Sequence, residues 1–159
     1  MNSAQRQEAA AQERRERKRA ADLLARAERD ELDAAWEALS DKPAVQPVRG
    51  PETGLVMVRG RIGGGGSPFN LGEVTVTRAT VKLASGVVGH AHALGTDREK
   101  VRLAAIFDAL WHQPATKDFV EKAILLPVTD RIAEYDRKRA DETAATRVDF
   151  FTMVRGEDK

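Results

Sequence analysis

The sequence predicts an α+β fold, an antiparallel β-sheet flanked by N-terminal and C-terminal helices. Residues 1–39 contain no glycine or proline and are dominated by Ala, Arg, Glu and Gln, all good helix formers. Residues 54–94 hold β-branched runs joined by short loops. Strands joined that closely pair antiparallel, because parallel pairing needs a long crossover. From residue 96 onward the apolar spacing returns to a helical period.

Residues 1–21 carry almost no apolar side chain larger than alanine and read as a charged helical or disordered extension. Residues 22–159 read as a single α+β domain. Periodicity begins at Leu23 and Leu24. A break near residues 28–30, with Asp30 as cap, separates these from a second helix whose buried stripe is Leu32, Ala35, Trp36 and Leu39. Residues 40–43 (Ser-Asp-Lys-Pro) end that helix.

Residues 54–62 read as a first strand. Val56, Val58 and Ile62 share one face, and Leu55, Met57, Arg59 and Arg61 share the other. Four glycines, Gly63 to Gly66, form a hairpin loop. Residues 74–83 make the second strand and 87–94 the third, across a turn at Ser85-Gly86. Thr96 and Glu99 have the spacing of a capping box for a helix that buries Leu103, Phe107, Leu110 and Trp111 and stops at Pro114. A short helix over 117–123 ends before Pro127. Val128, Ile132 and Tyr135 mark a last helix to about residue 145, and residues 148–154 are strand-like.

The chain has 159 residues, with 26 basic and 25 acidic side chains. A net charge of +1 supplies no global attraction to nucleic acid or anionic lipid. Cysteine is absent, which excludes disulfides, thiolate catalysis and iron–sulfur ligation by this chain. No apolar run is long enough for a membrane helix, and the expected location is the cytoplasm.

Candidate chemistry is sparse. The glycine run lacks the lysine and following helix of a phosphate-binding loop and reads as a turn. Arg59, Arg61 and Arg78 lie on predicted strands, where guanidinium forks suit phosphate oxygens. His90 and His92 project to one side of the third strand, but no pattern supplies a third metal ligand. The basic cluster Arg14 to Arg19 and the arginine-bearing sheet raise a nucleic-acid-binding module as the alternative. The strands lack the exposed aromatics on which bases stack. No hydrolase or metalloprotease motif occurs. The tail is unusual: residues 147–156 read Arg-Val-Asp-Phe-Phe-Thr-Met-Val-Arg-Gly, placing two of the five phenylalanines at the chain end. Phe150, Phe151 and Met153 are therefore expected to be packed against the protein's own core or a partner.

Residues 52–56 (Glu-Thr-Gly-Leu-Val), the glycine loop, Phe69, residues 72–79 (Gly-Glu-Val-Thr-Val-Thr-Arg-Ala) and the tail from Thr146 to Gly156 occur in that order. Together they resemble the PhnG family of phosphonate metabolism, the G subunits of the carbon–phosphorus lyase core complex, over roughly residues 22–157. The resemblance implies a subunit that works with H, I and L subunits to displace adenine from ATP with a phosphonate. The product is α-D-ribose 1-methylphosphonate 5-triphosphate. It further implies a stable assembly with H, I and J subunits, most directly the I subunit, with neither nucleic acid nor membrane as partner. The subunit itself would carry no cofactor or metal, ATP and phosphonate being substrates of the complex. The resemblance assigns no catalytic residue here. It makes Arg59, Arg61 and Arg78 candidates for contacting the triphosphate, and Phe150, Phe151 and Met153 candidates for anchoring the subunit.

Overall fold

The computed structural model describes residues 3–61 and 65–145. Helices α1 (Ser3–Arg26) and α2 (Arg29–Ala38) precede strands β1 (Val45–Gly60), β2 (Phe69–Leu83) and β3 (Val88–Leu94). Helices α3 (Arg98–Trp111) and α4 (Pro114–Val120), a π-helical turn (Glu121–Leu125) and α5 (Leu126–Ala145) follow. The sheet is an antiparallel meander in the order β1-β2-β3. This is the predicted α+β architecture. No helix among the described residues is long and apolar enough to cross a membrane.

The core is built around α3. From Val101 to Trp111 every residue except Arg102 is buried. One side of α3 carries the sheet, the other α1, α2 and α4. A helix stretch covered on all sides cannot be amphipathic, and from Leu103 to Trp111 the sequence is accordingly almost wholly apolar. The exception is Asp108, 2% exposed, whose Oδ2 accepts the backbone N–H of His90 at 2.8 Å. That bond fastens strand β3 to the helix beneath it.

Thr77, Ala79, Val81 and Leu83 of β2, with Gly89 and Ala93 of β3, are buried on the α3 side. Arg78, Lys82, His90 and His92 alternate with them and are exposed on the opposite face. One face packs and the other is open, as period-2 alternation requires.

Several local readings need correction. Glu28, not Asp30, caps α2: its side chain accepts from the backbone N–H of Glu31, and the Glu31 carboxylate accepts from the N–H of Glu28 at 2.7 Å. Asp97, not Thr96, caps α3, accepting from Lys100 N–H at 2.9 Å. Strand β1 starts at Val45 rather than residue 54, passing through Pro47 and Pro51 with register irregularities beside each. Proline is tolerated there because β1 is an edge strand. Strand β2 starts at Phe69 rather than residue 74.

The helix expected over 117–123 begins at Pro114, which occupies the first turn of α4, where its missing N–H costs nothing. Pro127 does not separate two helices. In a regular helix its ring would collide with the carbonyl four residues back. The π-helical turn just before it widens the backbone, with Leu126 N–H bonded to Glu121 O, and the helix continues.

Helix α1 runs unbroken across residues 21 and 22. Ala20, Leu23, Leu24 and Ala27 pack into the core at its C-terminal end. Further up, Arg19 meets Glu121 at 2.6 Å and Glu16 meets Lys117 at 3.3 Å.

At the other end of the bundle, Arg131 of α5 bonds Glu31 of α2 at 2.8 Å. Burial pushes the Glu31 carboxyl up, but the Arg131 hydrogen bond and the N–H of Glu28 outweigh it and hold the group below its ordinary value. The unfolded chain therefore binds this proton more readily than the folded one. The pair's contribution is present above the usual carboxylate range and is lost as pH falls through the depressed value. Because Arg131 is partly exposed, the contribution is expected to stay below about 1 kcal/mol. Urea denaturation at pH 7 and pH 3 checks this: Glu31→Gln should narrow the difference between the two. An unchanged difference would remove Glu31 from the acid response.

Candidate functional site

Strand β3 pairs with β2 only from Val76 to Lys82. Beyond that, residues 55–60 of β1 and 69–75 of β2 continue as a two-stranded ribbon, hereafter the arm. Its register runs from Leu55↔Thr75 to Gly60↔Phe69 and skips Leu71. The base of the arm is locked by polar contacts. Thr77, fully buried, donates to Gly95 O at 2.8 Å and meets Thr53 Oγ1 at 3.0 Å.

The arm itself is apolar and uncovered. Leu55 is 65% exposed, Val56 50%, Met57 48%, Phe69 41% and Leu71 58%. Leu71 lies across Gly60, where a Cβ would collide with it. Residues 55–58 are apolar without interruption, so exposed apolar side chains stand on both faces of the ribbon, with Thr75 and Glu73 opposite Leu55 and Met57 on one of them. Leu55 and Met57 point to one side, Val56 and Val58 to the other.

The arginines are divided by this geometry. Arg78 sits at the arm's base, opposite Glu52, with Nη2 at 3.2 Å and Nε at 3.3 Å from Glu52 Oε2. Arg59 lies seven residues further along β1, about 23 Å at strand rise. Strand parity also sets it on the opposite face. It reaches the carbonyl of Pro68 at 3.5 Å. Arg61 is exposed just past the strand end, and neither Arg59 nor Arg61 forms an ion pair among the described residues. A single triphosphate cannot span both ends.

A cleft of about 230 Å³ at the arm's base is lined by Glu52, Gly54, Val76 and Arg78. A second, of about 410 Å³, lies between the end of α1 and the end of β3, with Arg26, His92 and Lys100 on its walls. His90 Nδ1 is 3.1 Å from Thr80 Oγ1. His90 and His92 share the open sheet face, and among the described residues no three His, Asp or Glu side chains gather as a metal site. Phe150, Phe151 and Met153 lie outside the described residues.

The buried polar residues, Thr77 and Asp108 among those described, are both occupied by structural hydrogen bonds. Neither is free to act as nucleophile or base. The feature that sequence reasoning missed is the arm. Its signal was the unbroken apolar run Leu55 to Val58, a pattern of strands buried on both faces.

Comparison with known proteins places the chain among its relatives. The family model described as phosphonate metabolism protein PhnG matches residues 15–156, reaching into α1 ahead of residue 22. The chain is 65% identical over 136 residues to a Rhizobium meliloti (strain 1021) protein named alpha-D-ribose 1-methylphosphonate 5-triphosphate synthase subunit PhnG, covering 86% of each. A match of that extent leaves one assignment: the chain belongs to the PhnG family of phosphonate metabolism proteins.

Proposed function

We propose that this chain is a subunit of an α-D-ribose 1-methylphosphonate 5-triphosphate synthase. The observation that carries the reading is its 65% identity to the Rhizobium meliloti subunit of that name. In the reaction a phosphonate oxygen bonds to the ribose anomeric carbon of ATP as the bond to adenine breaks. The chain acts there with H, I and L subunits and assembles with H, I and J, docking most directly on the I subunit in the cytoplasm. Phe150, Phe151 and Met153 serve as an anchor in its own core or on the I subunit.

Two features support a role within an assembly rather than alone. No nucleophile–base pair occurs in the described core, and the arm exposes apolar surface of a kind that monomers rarely tolerate. Arg59 and Arg61, without ion-pair partners among the described residues, contribute charge to the triphosphate of ATP. Arg78, paired with Glu52, stands at the opposite end of the arm from these two.

Adenine release from ATP and methylphosphonate by the reconstituted complex tests the reading. Omitting this chain should abolish release. Arg59→Ala with Arg61→Ala should raise KM for ATP about tenfold or more, the loss expected from one or two charged hydrogen bonds, with the complex intact. Release at full rate without the chain would end the proposal. An unchanged KM in the double variant would free the two arginines of the role.

A further inference from the structure

We infer that the arm is inserted into a cleft of another synthase subunit that covers both of its faces, an inference resting on the subunit reading above. A partner with a flat surface would cover only one side of the ribbon. Leu55 and Met57, 65% and 48% exposed, would be dry while Val56 at 50% stayed wet, or the reverse. Leu71 and Phe69 add 58% and 41% exposed apolar side chains to the second strand. A two-stranded hairpin is marginal in water, and this one exposes large apolar side chains on both faces, Glu73 and Thr75 being the polar neighbours of Met57 and Leu55 on one of them. Apolar side chains on both faces are the signature of a strand sandwiched between layers. Helix α3 supplies one layer under β2 and β3, and its cover stops where Thr77 and Ala93 mark the end of the buried sheet. Among the described residues nothing else lies over the arm.

The occupant is a different chain rather than a second copy of this one. The described part of the arm and its turn carry Arg59 and Arg61 against a single carboxylate, Glu73. Two arms laid parallel would bring four arginines together. Laid antiparallel, each basic tip would meet the other's base, where Glu52 is already held by Arg78. A heterologous cleft with apolar walls and an anionic deep end suits both the apolar faces and the basic tip. The negative charge at that end is the triphosphate of ATP itself, held by the partner and met by Arg59 and Arg61.

Two face-specific variants test this: Leu55→Ser with Met57→Ser on one face, and Val56→Ser with Leu71→Ser on the other. Each full-length chain is co-expressed with H, I and J subunits and the complex is measured by affinity and size-exclusion chromatography. Both variants should lose association at least tenfold, while thermal unfolding of the isolated chain stays within a few degrees of wild type, because these side chains touch no core. Amide hydrogen exchange on the wild type should show protection of both arm strands in the complex and not in the free chain, which keeps the test open if a variant folds poorly. Loss from one face alone overturns two-sided insertion, and loss from neither overturns arm docking. A wild-type dimer of this chain dissolved by both variants overturns the choice of partner. Failure of the wild type itself to join the other subunits overturns the subunit reading and the insertion with it.

Discussion

Gly89→Ala is expected to cost about 3 kcal/mol or more, a large part of the stability of an ordinary domain. A Cβ at this position would sit 2.0 Å from the carbonyl oxygen of Ala105, 2.5 Å from the nitrogen of Ala109 and 2.8 Å from its Cβ. Two of these atoms are α3 backbone, so no rotamer change relieves the collision. Gly89 does not need a left-handed conformation. It is there for room, because β3 crosses α3 at a point where both small residues and a bare backbone are required. Relief means lifting β3, and that also breaks the bond from His90 N–H to the buried Asp108 carboxylate. A hydrogen-bond donor stranded under the sheet adds its own penalty. Urea denaturation followed by circular dichroism measures the effect. Gly54→Ala is the control, since nothing lies within 4 Å of its Cβ position. If Gly89→Ala retained stability within 1 kcal/mol of wild type, β3 could not be seated on α3 as described.

The meander and the central helix were legible because local preference and burial agree there. β-branched residues alternate with polar ones in 74–83, and the apolar stripe of 103–111 has helical period. Gly89 and Asp108 were present in the sequence but silent about their roles. A glycine in a strand and an acid in an apolar helix each signal a close approach or a buried acceptor, yet neither says which element is the neighbour. The caps at Glu28 and Asp97 were misplaced by one or two residues because adjacent side chains offer equally good acceptors. The course through Pro127 depends on a π turn that no propensity encodes. The arginine candidates illustrate the largest gap. Strand parity correctly separates neighbours, but Arg59 and Arg78 are set apart by the register of two strands, which only pairing reveals. The arm was hidden for a related reason: its strands are longer than the runs that predict them, and its apolar faces make sense only if a partner supplies the layers.

Phe107→Ala should be the most damaging large-to-small change in the core, costing about 3–5 kcal/mol. Phe107 is fully buried on α3, and Trp36 meets it edge-on with ring centroids 6.4 Å apart. Aromatics make up only 5% of the chain, so few side chains could move into the hole. Helix α3, which carries it, packs against α2 and the sheet, elements too firmly held by that packing to collapse together. Tryptophan fluorescence against urea, from Trp36 and Trp111 together, reads the loss. Tyr135→Ala, at a site 61% exposed, should stay near wild type. The variant also separates stability from docking. A partner that binds only the folded chain stabilises it by mass action, about 2.7 kcal/mol at a hundredfold excess over Kd. Phe107 is buried on α3, remote in register from the exposed arm residues, so its removal leaves the docking surface chemically unchanged. The isolated variant should therefore be largely unfolded at moderate urea, yet recover most of its structure when co-expressed with the other subunits. If co-expression rescued nothing, the folded chain would owe little to its partners, and the exposed arm would need another explanation.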